Sequence, residues 1–156
     1  MNPSLKATNR EMSQSLVKIL VHIVFSTKDR ADLIRPNNED ELYRVLHGLF
    51  EKYGARLLTG NGTANHVHLL ISLGKNDIAV LIGAIKTSTW MKSKGVQQFY
   101  WQRGYGAFSV SQSQVGAVTR YIAGQKEHHT RRDFKDEFRA LCAKYEVPID
   151  ERYCWD

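Results

Sequence analysis

Cysteine is nearly absent from this chain: Cys142 and Cys154 stand alone, with no Cys-x-x-Cys pair. They supply neither a cysteine zinc knuckle nor a disulfide framework, and free, mostly inert thiols are expected. Proline occupies three positions and charged residues 24% of the chain, too little of either for a long solvated tail, so most of the chain should be ordered. No apolar run approaches the roughly 20 residues that cross a bilayer, and no N-terminal segment has the pattern of a signal peptide. A cytoplasmic protein without a membrane partner is the expectation. Internal repeats and low-complexity tracts are missing as well.

What is present fits one domain. The 156 residues, 42% of them hydrophobic, suffice for a single core but not for a second full domain. Residues 1–14 are polar, show no apolar period and read as a flexible leader, with the domain spanning 15–156. A net charge of +6 favours a polyanionic partner, nucleic acid or an anionic membrane, although many basic proteins bind neither.

Apolar periodicity predicts the elements. Leu16 to Phe25 is rich in β-branched residues and puts Val17, Ile19, Val21, Ile23 and Phe25 on one face, a strand with a buried side. Asn37 to Tyr53 carries Leu42, Val45, Leu46, Leu49, Phe50 and Tyr53 at helical spacing. Two strands follow, about Ala55 to Gly60 and His66 to Leu73, with Asn61-Gly62 as their hairpin turn. Asp77 can cap a second helix reaching about Lys94, with Ile78, Leu81, Ile82 and Ile85 inward. A short strand is expected at Ala107 to Val110. Ser111 and Gln114 form a capping-box signature for a third helix bearing Val115, Val118 and Ile122, with Gly116 and Gly124 inside it at about 1 kcal/mol each. A last helix runs from about Phe134 to Tyr145. This order is that of an α+β, ferredoxin-like split βαβ antiparallel sheet with packed helices.

Within Asn65-His66-Val67-His68-Leu69-Leu70-Ile71-Ser72-Leu73, strand alternation sets Val67, Leu69, Ile71 and Leu73 on one face and His66 and His68 on the other. Two imidazoles on a rigid strand can converge on one cation, as a metal-dependent phosphodiester enzyme requires; half-buried histidines without metal are the plain alternative. In Thr119-Arg120-Tyr121-Ile122-Ala123-Gly124-Gln125, Tyr121 and Gln125 are four apart and project from one side of a helix. A phenol ionises near pH 10, so a nucleophilic tyrosine needs a polarised phosphate, a nearby base or both. Seen alone, Tyr121 also fits an ordinary helix tyrosine with its hydroxyl in water.

The ordered strings His66-Val67-His68, Trp101-Gln102-Arg103-Gly104-Tyr105-Gly106-Ala107-Phe108-Ser109-Val110-Ser111 and Tyr121-Ile122-Ala123-Gly124-Gln125 resemble the single-tyrosine HUH transposases. That insertion-sequence two-hundred-like family includes relatives associated with repetitive extragenic palindromes. The resemblance runs from about Leu16 to Trp155 and implies a single HUH endonuclease-type domain. It implies His66 and His68 as metal ligands, Gln125 as a third ligand and Tyr121 as the nucleophile. A ligand set mixing imidazole nitrogen with amide oxygen suits Mg²⁺ or Mn²⁺ better than a closed zinc site. The implied activity is cleavage and rejoining of single-stranded DNA bearing imperfect palindromic hairpins, through a 5′-phosphotyrosine, in a homodimer whose tyrosine helix can complete the partner's site. Glu127, His128 and His129 fit either a second layer around the metal or a solvated helix end.

Lys28, Arg30, Lys86, Lys92, Lys94, Arg103 and Arg120 are candidates for phosphate neutralisation, a solvated face being the alternative for each. Trp90, Tyr100 and Tyr105 could stack on unpaired bases, whereas Trp101 reads as core. Three other functions compete. A non-catalytic single-strand-binding module would suit the fold, but its aromatic signature is missing. A hydrolytic metal phosphodiesterase would leave no protein adduct, and a domesticated relative processing chromosomal palindromes would share every site residue.

Overall fold

The computed structural model describes residues 14–87, 96 and 99–156. Nearly all of the expected leader lies outside the described residues, as do Trp90, Lys92, Lys94 and the expected end of the second helix.

The elements are β1 (Leu20–Ser26), α1 (Pro36–Lys52), β2 (Arg56–Thr63), β3 (His66–Ser72), α2 (Ile78–Lys86), β4 (Gly106–Val110), α3 (Val115–Ala123), the one-turn α4 (Gln125–His128) and α5 (Phe134–Lys144). They build a four-stranded sheet in the order β2-β3-β1-β4, with every neighbouring pair antiparallel. Because β3 inserts between β1 and β2, this is the split βαβ arrangement expected from the element order. Pro36 opens α1, where its missing N–H costs nothing. Gly54, at φ +77°, follows the end of that helix in the left-handed region.

Helices cover both faces of the sheet. On one, Leu42, Leu46 and Phe50 of α1 and Leu81, Ile82 and Ile85 of α2 pack on Val21, Ile23, Phe25, Val67, Leu69 and Ile71. Asp77 caps α2 as expected, accepting from the Val80 amide at 3.1 Å. On the other face, Ile122 of α3 packs on Leu20, Leu70 and Val110, and Phe134, Phe138 and Leu141 of α5 pack on Val24 and Phe108. The strand β1 therefore has two buried sides rather than the expected one. Burying a side chain such as Ile23 or Phe25, each 0% exposed, contributes about 1.5–3 kcal/mol.

Three local expectations are corrected. The strand begins at Leu20, not Leu16: Leu16, Val17 and Ile19 are 87%, 45% and 46% exposed, because pairing with β3 and β4 starts only at Leu20. Asn61 and Gly62 are not the hairpin turn but lie within β2, opposite His68 and Val67, and the chain reverses at Ala64–Asn65. Glycine is required at 62 by close approach, since a Cβ there would lie 2.1 Å from the His66 carbonyl oxygen. Finally, Ser111 makes no capping bond. Its hydroxyl meets that of Ser113 at 3.1 Å, Gln112–Gln114 form a tight 3-10 turn, and Gly124 sits in the break between α3 and α4 rather than inside one helix.

Between Leu57 and Thr59 the pairing of β2 with β3 slips by one residue. A slip of one residue exchanges the faces of a strand. Thr59, Asn61 and Thr63 thereby join the face that carries His66 and His68.

Candidate active site

His66 and His68 share one face of β3, as strand alternation requires, and both are 0% exposed. The helix α3 is drawn onto this face by Ile122 and held by Asn61, whose amide donates to the carbonyls of Ile122 at 3.0 Å and Ala123 at 3.2 Å. Those carbonyls end a helix and have no partner within it, so a strand residue bonding them fixes where the helix stops. Lys126 adds a second tie, donating to Asn61 Oδ1 at 2.9 Å and Glu39 Oε1 at 2.6 Å. Tyr121 and Gln125 consequently lie over the histidines, the Tyr121 ring centroid 5.7 Å from that of His68.

At the centre is a residue that periodicity did not single out. Glu137 projects from α5, on the apolar stripe of Phe134, Phe138 and Leu141, and is 2% exposed. Its Oε1 accepts from His68 Nε2 at 2.7 Å and His129 Nε2 at 3.1 Å. Its Oε2 accepts from Gln125 Nε2 at 3.1 Å and, in a short hydrogen bond, from the Tyr121 hydroxyl. A buried carboxylate persists only when donors surround it in this way. The same packing brings in His22, on β1, whose Nε2 lies 2.8 Å from His68 Nδ1. Since His68 Nε2–H donates to Glu137, its Nδ1 carries the lone pair and accepts from His22 Nε2–H. An acid on an apolar helix stripe and a lone histidine in an apolar strand were the two sequence signals for these residues.

The donor set suits a divalent cation. Asn65 Oδ1, an acceptor only, stands 2.9 Å from His66 Nδ1 and takes its proton. The lone pair on His66 Nε2 then faces Gln125 Oε1 at 3.2 Å and Glu137 Oε1 at 3.6 Å. His66 Nε2, Gln125 Oε1 and Glu137 Oε1 are thus gathered as atoms that one cation could share. Ligand atoms of His66, His68, His129 and Glu137 all lie within 4.8 Å of one another, and ligands of one cation at about 2.0–2.2 Å are spaced comparably.

Burial dominates the electrostatics. It lowers His22 and His66 to about 3, helped by the neighbouring His68, and it also holds His68 below its ordinary value. These imidazoles are neutral, with the His66 Nε2 lone pair free to act as a ligand and that of His68 freed at Nε2 only when its proton moves to Nδ1. Burial would raise Glu137, but hydrogen bonds from His129, His68 and Tyr121 overcome it and hold the carboxyl well below the usual range. Burial first, and then Glu137, push the Tyr121 phenol well above its ordinary value.

The structure thus brings His66, His68, Tyr121 and Gln125 together in one chain. His129 joins them, His128 stacks on Tyr121 with centroids 5.1 Å apart, and Glu127 stays exposed. The basic candidates scatter. Lys28, Arg103 and Arg120 are exposed. Arg30 donates to the Trp155 carbonyl at 2.7 Å. Lys86 was expected to face solvent or phosphate, yet it donates to the carbonyls of Gln102 at 2.9 Å and Gly104 at 2.7 Å. Burial lowers that lysine to about 8. Trp101 packs edge-on against Phe25, centroids 4.9 Å apart, as a core residue would.

Residues 15–125 match the family model described as transposase IS200 like. No curated protein matches. Two solved structures share the fold. A protein of Deinococcus radiodurans R1 described as a candidate transposase aligns with a TM-score of 0.56 at 21% identity, covering 71% of this chain and 93% of its own. A REP-associated tyrosine transposase bound to a REP hairpin aligns with a TM-score of 0.58 at 12% identity, covering 74% of this chain and 72% of its own. Among the described residues no helix is long and apolar enough to cross a membrane.

Proposed function

The chain belongs to the IS200-like transposase family, and on that premise we propose that it cuts and rejoins single-stranded DNA through a covalent 5′-phosphotyrosine at Tyr121, with Mg²⁺ or Mn²⁺ held by His66, His68, Gln125 and Glu137. The observation that carries this reading is the convergence of Tyr121, both histidines and Gln125 on one carboxylate within a single chain. A cation held by these residues would supply positive charge to offset that developing on the attacked phosphate. The two oxygens of Glu137 divide the remaining work: Oε1 faces the histidines, and Oε2 faces Tyr121 and Gln125.

Tyr121 keeps its proton at rest, because its pKa is raised. The proton passes to Glu137 Oε2 as the tyrosine oxygen bonds to phosphorus. The bond from phosphorus to the 3′ oxygen breaks, and that oxygen takes the proton held by Glu137 and leaves as a free hydroxyl. Attack by another strand's 3′-hydroxyl on the phosphotyrosine reverses the sequence and restores the phenol, so rejoining consumes neither ATP nor water. Since one chain carries the whole set, cleavage runs in cis. A homodimer would serve to bring two strand ends together rather than to complete the site. The net charge of +6 and the hairpin held by the REP-associated neighbour support DNA bearing imperfect palindromic hairpins as the substrate.

The test is incubation with hairpin-bearing single-stranded oligonucleotides and Mn²⁺, followed by denaturing electrophoresis. The parent protein should form a denaturant-resistant adduct, and Tyr121→Phe should form none. Adduct on the Tyr121→Phe protein removes the nucleophile assignment, and cleaved strand released without any adduct points to attack by water instead.

A further inference from the structure

Between α3 and α5, on the face of the sheet that both cover, a cavity of about 640 Å³ opens. Its lining includes His22 of β1, Val118 and Tyr121 of α3, Glu137 and Leu141 of α5, and Tyr145 just beyond the end of α5. We propose, resting on the single-strand cleavage reading above, that this cavity takes one unstacked nucleobase, that of a nucleotide adjoining the phosphate attacked by Tyr121.

Size, wall chemistry, charge and position all support this occupant. The volume lies within the roughly 300–1,000 Å³ of pockets that hold small molecules. The apolar walls include an aromatic platform that is already rigid, since Tyr145 stacks on Phe108 with centroids 4.8 Å apart. Such a platform accepts the face of any base. Ser111 and Gln114 supply polar groups for a base edge, and Arg132 and Lys144 supply positive charge for the backbone. Arg132 makes no ion pair among the described residues, and its charge is felt at the Tyr121 hydroxyl, where it favours the phenolate. A base is separated from its phosphate only by a sugar. A strand whose phosphate sits against Tyr121 must therefore put a neighbouring base into this cavity or leave it in water. Stacking inside the protein offsets the cost of pulling the base from its neighbours.

The test is an abasic scan. Hairpin-bearing oligonucleotides, each lacking one base at successive positions around the cut, are compared for affinity and adduct rate on the full-length protein. They are also compared on Ala140→Trp, which fills the cavity from an exposed position of α5. Loss of a base should weaken binding about tenfold at one position flanking the cut and little elsewhere. Ala140→Trp should bind the intact strand about tenfold more weakly, yet match the parent on the strand abasic at that position. The inference is overturned if no single position stands out on the parent protein, or if Ala140→Trp loses the same factor on intact and abasic strands. The affinity arm separates the two readings. Position-specific loss of binding without any adduct counts against the cleavage chemistry and not the cavity, whereas adduct formation without position-specific loss counts against the cavity alone.

Discussion

Glu137→Gln is the substitution that most directly examines the proposed centre. The amide keeps the shape of the carboxylate but offers one acceptor oxygen where the carboxylate offers two. Four donors point at Glu137, from His68, His129, Gln125 and Tyr121. Two of them would face an NH₂ group instead, and each buried donor left unpaired costs about 1–3 kcal/mol. The expected loss is therefore about 2–6 kcal/mol, a large share of the roughly 5–15 kcal/mol that keeps a domain folded. A tautomer change at His68 offers no escape, because it passes the unpaired N–H to His22. The variant should also bind Mn²⁺ more weakly, having lost the only anionic ligand of the set. Urea unfolding in the presence of a chelator measures the first effect and calorimetric titration with Mn²⁺ the second. A variant whose unfolding midpoint and Mn²⁺ affinity both equal those of the parent would refute the account of Glu137 as the hub.

Asn61→Ala removes both side-chain bonds to the end of α3, at a cost of about 1–3 kcal/mol. Amide hydrogens of α3 should exchange faster while those of α1 keep their protection, and uniform protection across both helices counts against the tie. Stability should also fall in acid. His22 and His66 sit at about 3 in the folded chain against an ordinary 6.5, so between these values the unfolded chain binds protons that the folded chain refuses. Their contribution is intact above pH 6.5 and is lost toward pH 3, at about 1.4 kcal/mol per pH unit for each. Thermal unfolding of the metal-free protein from pH 7 to 5 should show a falling midpoint, and a flat profile contradicts the neutral, buried state of these imidazoles.

Much of the architecture was legible locally. Alternation along β3 put His66 and His68 on one face, and a four-residue interval put Tyr121 and Gln125 on one side of the chain, where both reach Glu137 although Gly124 breaks the helix between them. Both follow from backbone geometry acting over a few residues. The apolar stripe from Leu42 to Phe50 likewise required a helix against a core. The motifs also indicated that the paired histidines and the tyrosine serve one site.

Other features were decided only when distant segments packed. Asn61-Gly62 has the composition of a turn, but a slipped register made Asn61 an anchor for α3 and Gly62 a site of close approach. His68 and Glu137 are 69 residues apart, and no periodic signal connects a strand to a helix at that distance. An acid on the apolar stripe of α5 is costly by itself. It becomes stable because the sheet beneath presents the imidazoles that bond it, and whether a buried charge finds such partners is a property of the assembled layers, not of any one segment.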